Sequence, residues 1–210
     1  MIDFPESTVV RRRMPKEAFY KHLILSQALK DRFVSDVDTI VVANSLTKEN
    51  LNLAKSSKIK EILLLTIKLK KQNFDGKIVE AIAKQNPHKL VFMLAYEDMR
   101  QFIVYRGKLY STQWAKEADV SLSLSGNTLD EIWDNLVRQV AITSEDVLKR
   151  NDLTLDQQLT MQDEINQLNK LIKITDAASW KEQQPKKKFE LYTKLQEYKK
   201  QLEEITHGKA

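Results

Sequence analysis

The run Ile62-Leu63-Leu64-Leu65-Thr66-Ile67 sets the strongest constraint on what this chain can fold into. Successive side chains of a strand point to opposite faces, so a run with consecutive apolar residues, as in Ile62–Leu65, carries hydrophobic surface on both sides of its sheet. The surrounding stretch "IKEILLLTIKLKK" (59–71) then resolves into alternation, with Ile67 and Leu69 on one side and Lys68 and Lys70 on the other. The pattern predicts a buried central strand with a basic exit.

Other segments supply its neighbours. "TIVVANSL" (39–46), "KLVFMLAYE" (89–97), "RQFIVYR" (100–106), "KLYSTQW" (108–114) and "DVSLSLS" (119–125) read as short strands. The connections at Glu97-Asp98 and Gly107 are short enough for hairpins. "DGKIVEAIAKQNP" reads as a helix capped by Asp75 and ended by Asn86-Pro87. Pro15 suits the first turn of a helix carrying Phe19, Tyr20 and Leu23, and Ser26 suits the cap of another carrying Leu29, Phe33 and Val34. "TLDEIWDNLVRQVA" (128–141) is the clearest helix: Thr128 and Glu131 have capping-box spacing, and Leu129, Ile132, Trp133, Leu136, Val137 and Val140 form one apolar stripe. That stripe must cover the sheet, which makes Trp133 a core residue. The expected fold class is α+β, a mixed, largely antiparallel sheet of about six strands with flanking helices.

The last sixty residues differ in kind. Met161, Ile165, Leu168 and Ile172 step at heptad spacing, as do Leu191, Leu195, Tyr198, Leu202 and Ile205. Pro185 between them breaks a helix or starts a new one. The expectation is a C-terminal helical hairpin, a short antiparallel coiled coil; the alternative is a kinked arm that pairs with a second copy in a homo-oligomer. The domains are read as an α+β core over 1–150 and the helical hairpin over 151–210. The hairpin segment holds ten basic and ten acidic residues, so the net charge of +5 falls on residues 1–150. A polyanion would meet the front of the protein.

Composition removes whole classes of chemistry. Cysteine is absent, which excludes disulfides and thiolate zinc sites and suits the reducing cytoplasm, the expected location. No apolar run approaches the roughly 18 residues of a membrane helix, and "MIDFPESTVV" lacks the pattern of a signal peptide. The four glycines, Gly76, Gly107, Gly126 and Gly208, lie too far apart for a phosphate-cradling loop. His22, His88 and His207 are scattered without metal-ligand spacing. "SLSLSGN" reads as a strand ending in a turn rather than a nucleophile elbow. No cofactor, metal site or catalytic residue is expected.

Binding groups remain. Arg11, Arg12 and Arg13, with Lys16 beside a helix start, can contact phosphate or an acidic partner surface, or they can simply dress a solvated turn. Tyr105 and Tyr110, beside Arg106 and Lys108, offer rings on which bases could stack. A restriction-type nuclease needs an acid on one strand and Asp/Glu-x-Lys on the next, so that two carboxylates hold Mg²⁺. Here the second strand reads Thr66-Ile67-Lys68, with threonine in the carboxylate slot, while Asp38 and Glu61 are generic acids.

Three blocks carry a resemblance: "IDFPESTVVRRRMPKEAFY", "SGNTLDEIWDNLVRQVA" and "KKKFELYTKLQEYKKQLEEI". In this order they are similar to a bacterial family, domain of unknown function 4391, over nearly the whole chain. The family brings no catalytic residues to carry over. The resemblance implies a setting beside helicases and DNA methyltransferases in restriction or phage-defence systems. The expected function is thus a non-enzymatic accessory subunit of a bacterial DNA-processing or defence system, with a helicase or DNA methyltransferase as its protein partner. Direct nucleic-acid binding and a diverged, non-cleaving restriction-type nuclease are the alternatives.

Overall fold

The computed structural model describes residues 2–17, 23–54 and 57–207. The chain forms two compact units, residues 1–141 and 142–210.

The first unit is built on a seven-stranded sheet. Its order is β2 (Val9–Met14), β3 (Val37–Thr47), β4 (Glu61–Leu69), β5 (Lys89–Tyr96), β6 (Met99–Arg106), β7 (Lys108–Ser111), with β8 (Ala115–Lys116) also on β6. β4 and β5 run parallel and the other neighbours antiparallel. A parallel pair needs a crossover, supplied by α2 (Gly76–Gln85). Leu65, Ile67 and Leu69 of β4 pack with Phe33 of α1 (Gln27–Asp36) and with Ile78, Val79 and Ile82 of α2. Ile62 and Leu64 point the other way, to the face covered by α3 (Leu129–Ala141), which packs on β4, β6 and β7. The leucine run therefore has a helical cover on each side.

In β3 the buried face changes midway. Val42 pairs with Leu65, but Asn44 pairs with Leu64, so an irregularity at Ala43 turns Asn44 and Leu46 to the α3 face. Asn44 is buried there and its Nδ2 donates to Thr8 Oγ1 at 2.9 Å, while Thr8 donates to the Pro5 carbonyl at 2.7 Å. The polar pair is satisfied internally.

Helix ends follow local chemistry. Ser26 Oγ accepts the Leu29 N–H, Asp75 Oδ1 accepts the Lys77 N–H at 3.0 Å, and Asn86 ends α2. At α3, Thr128 Oγ1 accepts the Glu131 N–H at 3.1 Å, but the Glu131 carboxylate reaches one residue further back, to the Asn127 N–H at 2.7 Å. Gly126 permits that approach. Its φ is +138°, and a Cβ there would lie 2.8 Å from Glu131 Cβ and 2.9 Å from the Ile132 nitrogen.

Two segments depart from expectation. In 119–125, Leu122–Ser123 alone forms a strand, β9, paired in parallel with β1 (Ile2–Asp3) outside the main sheet. The reason lies in α3: Gln139 bonds the Ser123 backbone at 3.1 and 2.9 Å, and Asn135 donates to the Ser125 carbonyl at 2.7 Å, replacing sheet partners. The arginine segment, in turn, is strand β2 rather than a turn. Lys16 and Glu17 are helical, while Phe19, Tyr20 and His22 lie outside the described residues.

The second unit comprises α4 (Glu145–Leu148), α5 (Leu155–Lys181) and α6 (Pro185–His207). Thr154 and Gln157 form a reciprocal capping box at the start of α5. Pro185 opens α6, and the three-residue link Glu182–Gln184 folds α6 back on α5 as a helical hairpin.

Leu136 is fully buried between α3 and the sheet. Leu136→Ala is expected to cost about 2–5 kcal/mol in urea unfolding. Asp36 is buried at the α1–β3 junction, 2.8 Å from the Lys71 ammonium and beside the Ser35 hydroxyl. Burial pushes its carboxyl up, but the hydrogen bonds from Lys71 and Ser35 outweigh this and hold it below the usual carboxylate value. Its stabilisation is complete above the unfolded value of about 4 and is lost as pH falls through the lowered folded value. Asp36→Asn should lower stability at neutral pH and flatten the acid limb of a stability–pH curve; an unchanged acid limb would remove Asp36 from that role.

Candidate functional site

β2 is an edge of the main sheet, paired on one side with β3 and bearing Arg11, Arg12 and Arg13, all exposed. Its register shifts between Val9 and Arg12, and Arg11 has φ +49°. Charge, a bulge and Pro15 just beyond are the devices that keep an open strand edge from pairing with another chain. Arg12 stands opposite Val42 and Arg13 opposite Val41, so the two side chains leave by opposite faces. Lys16 is tied down: its ammonium donates to the Val37 carbonyl. Arg13 and Lys16 line a concavity with Asp38 and Lys70 at one end of the sheet, whereas Arg12 lines a separate cavity beside α2. The structure does not gather the four basic residues into one site.

The nuclease comparison needs two carboxylates and a lysine together. β3 and β4 bring Asp38 and Lys68 together at 3.8 Å, at the place where an acid strand and an x-Lys strand should meet. Thr66 supplies no second carboxylate, and Glu61, at the other end of β4, accepts the Ser45 hydroxyl and lies 3.2 Å from His88 Nδ1. Among the described residues no cluster of three His, Cys, Asp or Glu could hold a metal ion. The paired tyrosines do not form a stacking platform. Tyr105 opposes Leu109 and Tyr110 opposes Val104, on opposite faces, and each ring has a lysine over it, Lys84 at 5.5 Å and Lys108 at 5.0 Å.

A seam of apolar residues runs along the hairpin. Ile165, Leu168 and Leu195 are buried, and Met161, Ile172, Leu191, Tyr198, Leu202 and Ile205 are half-buried. Polar side chains extend it. Gln162 Oε1 accepts the Thr143 and Ser144 N–H groups at 3.0 and 2.9 Å, and Gln158 Nε2 donates to the Arg150 carbonyl at 2.9 Å. These glutamines seat α4 on α5 within the second unit.

Outside the seam, large apolar groups face solvent: Trp180 is 79% exposed, Phe189 71%, Ile174 56% and Tyr192 54%. Trp180 lies on the last turn of α5, and Phe189 and Tyr192 lie on the first two turns of α6, flanked by exposed Lys181 and Lys186–Lys188. A heptad count registers the residues inside a seam; the signal for these was their place off the seam in "ASWKEQQPKKKFELY".

The fold and these surfaces define an α+β domain continued by a helical hairpin with exposed aromatic side chains. The chain belongs to the family described as domain of unknown function (DUF4391), whose model matches residues 2–202. No curated protein and no solved structure matches it. Among the described residues no helix is long and apolar enough to cross a membrane.

The edge-guard role of the arginines has a direct test. Arg11→Val combined with Arg13→Val should produce concentration-dependent association in light scattering, through the opened edge of β2. A mass identical to that of the wild-type protein at all concentrations would show that the arginines do not guard the edge.

Proposed function

We propose that the chain is a non-enzymatic accessory subunit of a bacterial DNA-processing, restriction or phage-defence system, and that its helical hairpin docks the partner protein. The observation that carries this reading is the exposed set Ile174, Trp180, Phe189 and Tyr192 on the hairpin. Aromatic side chains dominate the energetics of protein interfaces, because each removes a large rigid surface from water at little entropic cost. The neighbouring lysines suit a partner with acidic residues at the rim of its contact. The family resemblance supplies the partner class, a helicase or DNA methyltransferase.

A second reading, direct contact with nucleic acid, draws on the concavity where Arg13, Lys16 and Lys70 meet. Such binding would weaken steeply with salt, because phosphate neutralisation releases counterions.

The test is a pull-down of the tagged full chain from its host, with and without nuclease, beside a Trp180→Ala/Phe189→Ala/Tyr192→Ala variant. A helicase or methyltransferase retained after nuclease by the wild-type protein and lost by the variant is the expected result. Equal recovery by the two proteins would overturn hairpin docking. Recovery that vanishes with nuclease would favour the nucleic-acid reading. The three side chains are exposed, so circular dichroism should show an unchanged fold.

A further inference from the structure

The cavity beside α2 has a volume of about 380 Å³ and lies on the sheet face that α1 and α2 cover. Its floor is apolar: Val42 of β3, Leu63 and Leu65 of β4, and Ile82 of α2. Its rim is polar and built by hydrogen bonds. Asn86 Oδ1 accepts the His88 N–H at 2.9 Å, and His88 Nδ1 lies 3.2 Å from Glu61, which also accepts the Ser45 hydroxyl. Gln85 clamps the Ile24 backbone on both sides, accepting its N–H at 2.7 Å and donating to its carbonyl at 3.3 Å. The Glu61 carboxylate thus has its hydrogen-bond partners within the rim. Arg12 is different: it lines the same cavity and has no hydrogen-bond or ion-pair partner among the described residues.

An apolar floor beside a guanidinium that has no partner among the described residues selects a ligand with two parts. The floor takes a hydrocarbon or aromatic body, since a polar one would lose its hydration without replacement. The guanidinium takes a planar or tetrahedral oxyanion in bidentate fashion. The volume falls within the range of small-molecule sites, roughly 300–1,000 Å³. We propose that this cavity binds a small organic anion, a carboxylate or a phosphate monoester on an apolar body, with Arg12 as its anion contact and Val42, Leu63, Leu65 and Ile82 as its apolar seat. The proposal is independent of hairpin docking, because none of these residues belongs to the hairpin.

The experiment is a methyl and amide NMR titration of the full chain with phenyl phosphate, with benzoate, and with benzyl alcohol as the uncharged control. Saturable shifts at the Val42, Leu63, Leu65 and Ile82 methyls are expected with at least one anion, at an affinity about tenfold or more above that of benzyl alcohol, the worth of one charge-assisted hydrogen bond. A response to phenyl phosphate alone assigns the phosphate class, and a response to benzoate alone the carboxylate class. Arg12→Ala should reduce the anion to the level of the alcohol, and Leu63→Trp, which fills the floor, should abolish all three. Arg12 is exposed, and unchanged shifts elsewhere in the spectrum will show that the fold survives its loss. The proposal is overturned if neither anion moves these methyls, if anion and alcohol bind alike, or if Arg12→Ala leaves anion affinity unchanged.

Discussion

The two-sided burial of β4 governs the rest of the first unit. A strand with Ile62 and Leu64 on one face and Leu65, Ile67 and Leu69 on the other cannot lie at a sheet edge or over solvent. Its neighbours must flank it on both sides, and helices must cover both faces. The parallel pairing with β5 sends the chain across one face as α2, and the stripe of α3 closes the other. Even the irregularity in β3 answers this demand: by changing face at Ala43, one strand contributes Val42 to the α2 side and Leu46 to the α3 side.

What could be read beforehand was whatever local chemistry decides. Ser26, Asp75 and Asn86-Pro87 mark helix ends because caps satisfy backbone groups within three residues. The hairpins at Glu97-Asp98 and Gly107 follow from chain length, and both Glu97 and Gly107 have the positive φ of a tight turn. β2 escaped because alternation reports a strand with one face buried, and its arginines leave a charged group on either face. β9 was overread because a serine–leucine alternation looks like a strand, while Gln139 and Asn135 of α3 take up its backbone groups. Such partners lie ten to sixteen residues away, beyond the reach of pattern.

The binding surfaces were legible in part for the same reason. Residue type made Arg11, Arg12, Arg13 and Lys16 candidates for phosphate or partner contact, but the cavity that Arg12 lines needs three strands and a helix to exist. Heptad spacing singles out apolar residues for the hairpin but not Gln158 and Gln162, because a buried amide has meaning through its partners alone. Asp38 and Lys68 do meet across β3 and β4, but Thr66 offers no carboxylate beside them.

The sheet end and the hairpin differ in what each leaves for another molecule. At the sheet end the Lys16 and Lys70 ammoniums donate to the Val37 and Val34 carbonyls, and Lys68 and Lys71 face Asp38 and Asp36. A phosphate arriving there competes with internal acceptors and meets a field already reduced by two carboxylates. At the hairpin Trp180 and Phe189 lie largely in water. Removing them from water is a gain that salt does not screen, whereas contacts at the sheet end weaken as ionic strength rises. That difference in residual chemistry, rather than the number of basic residues, is what separates the two surfaces.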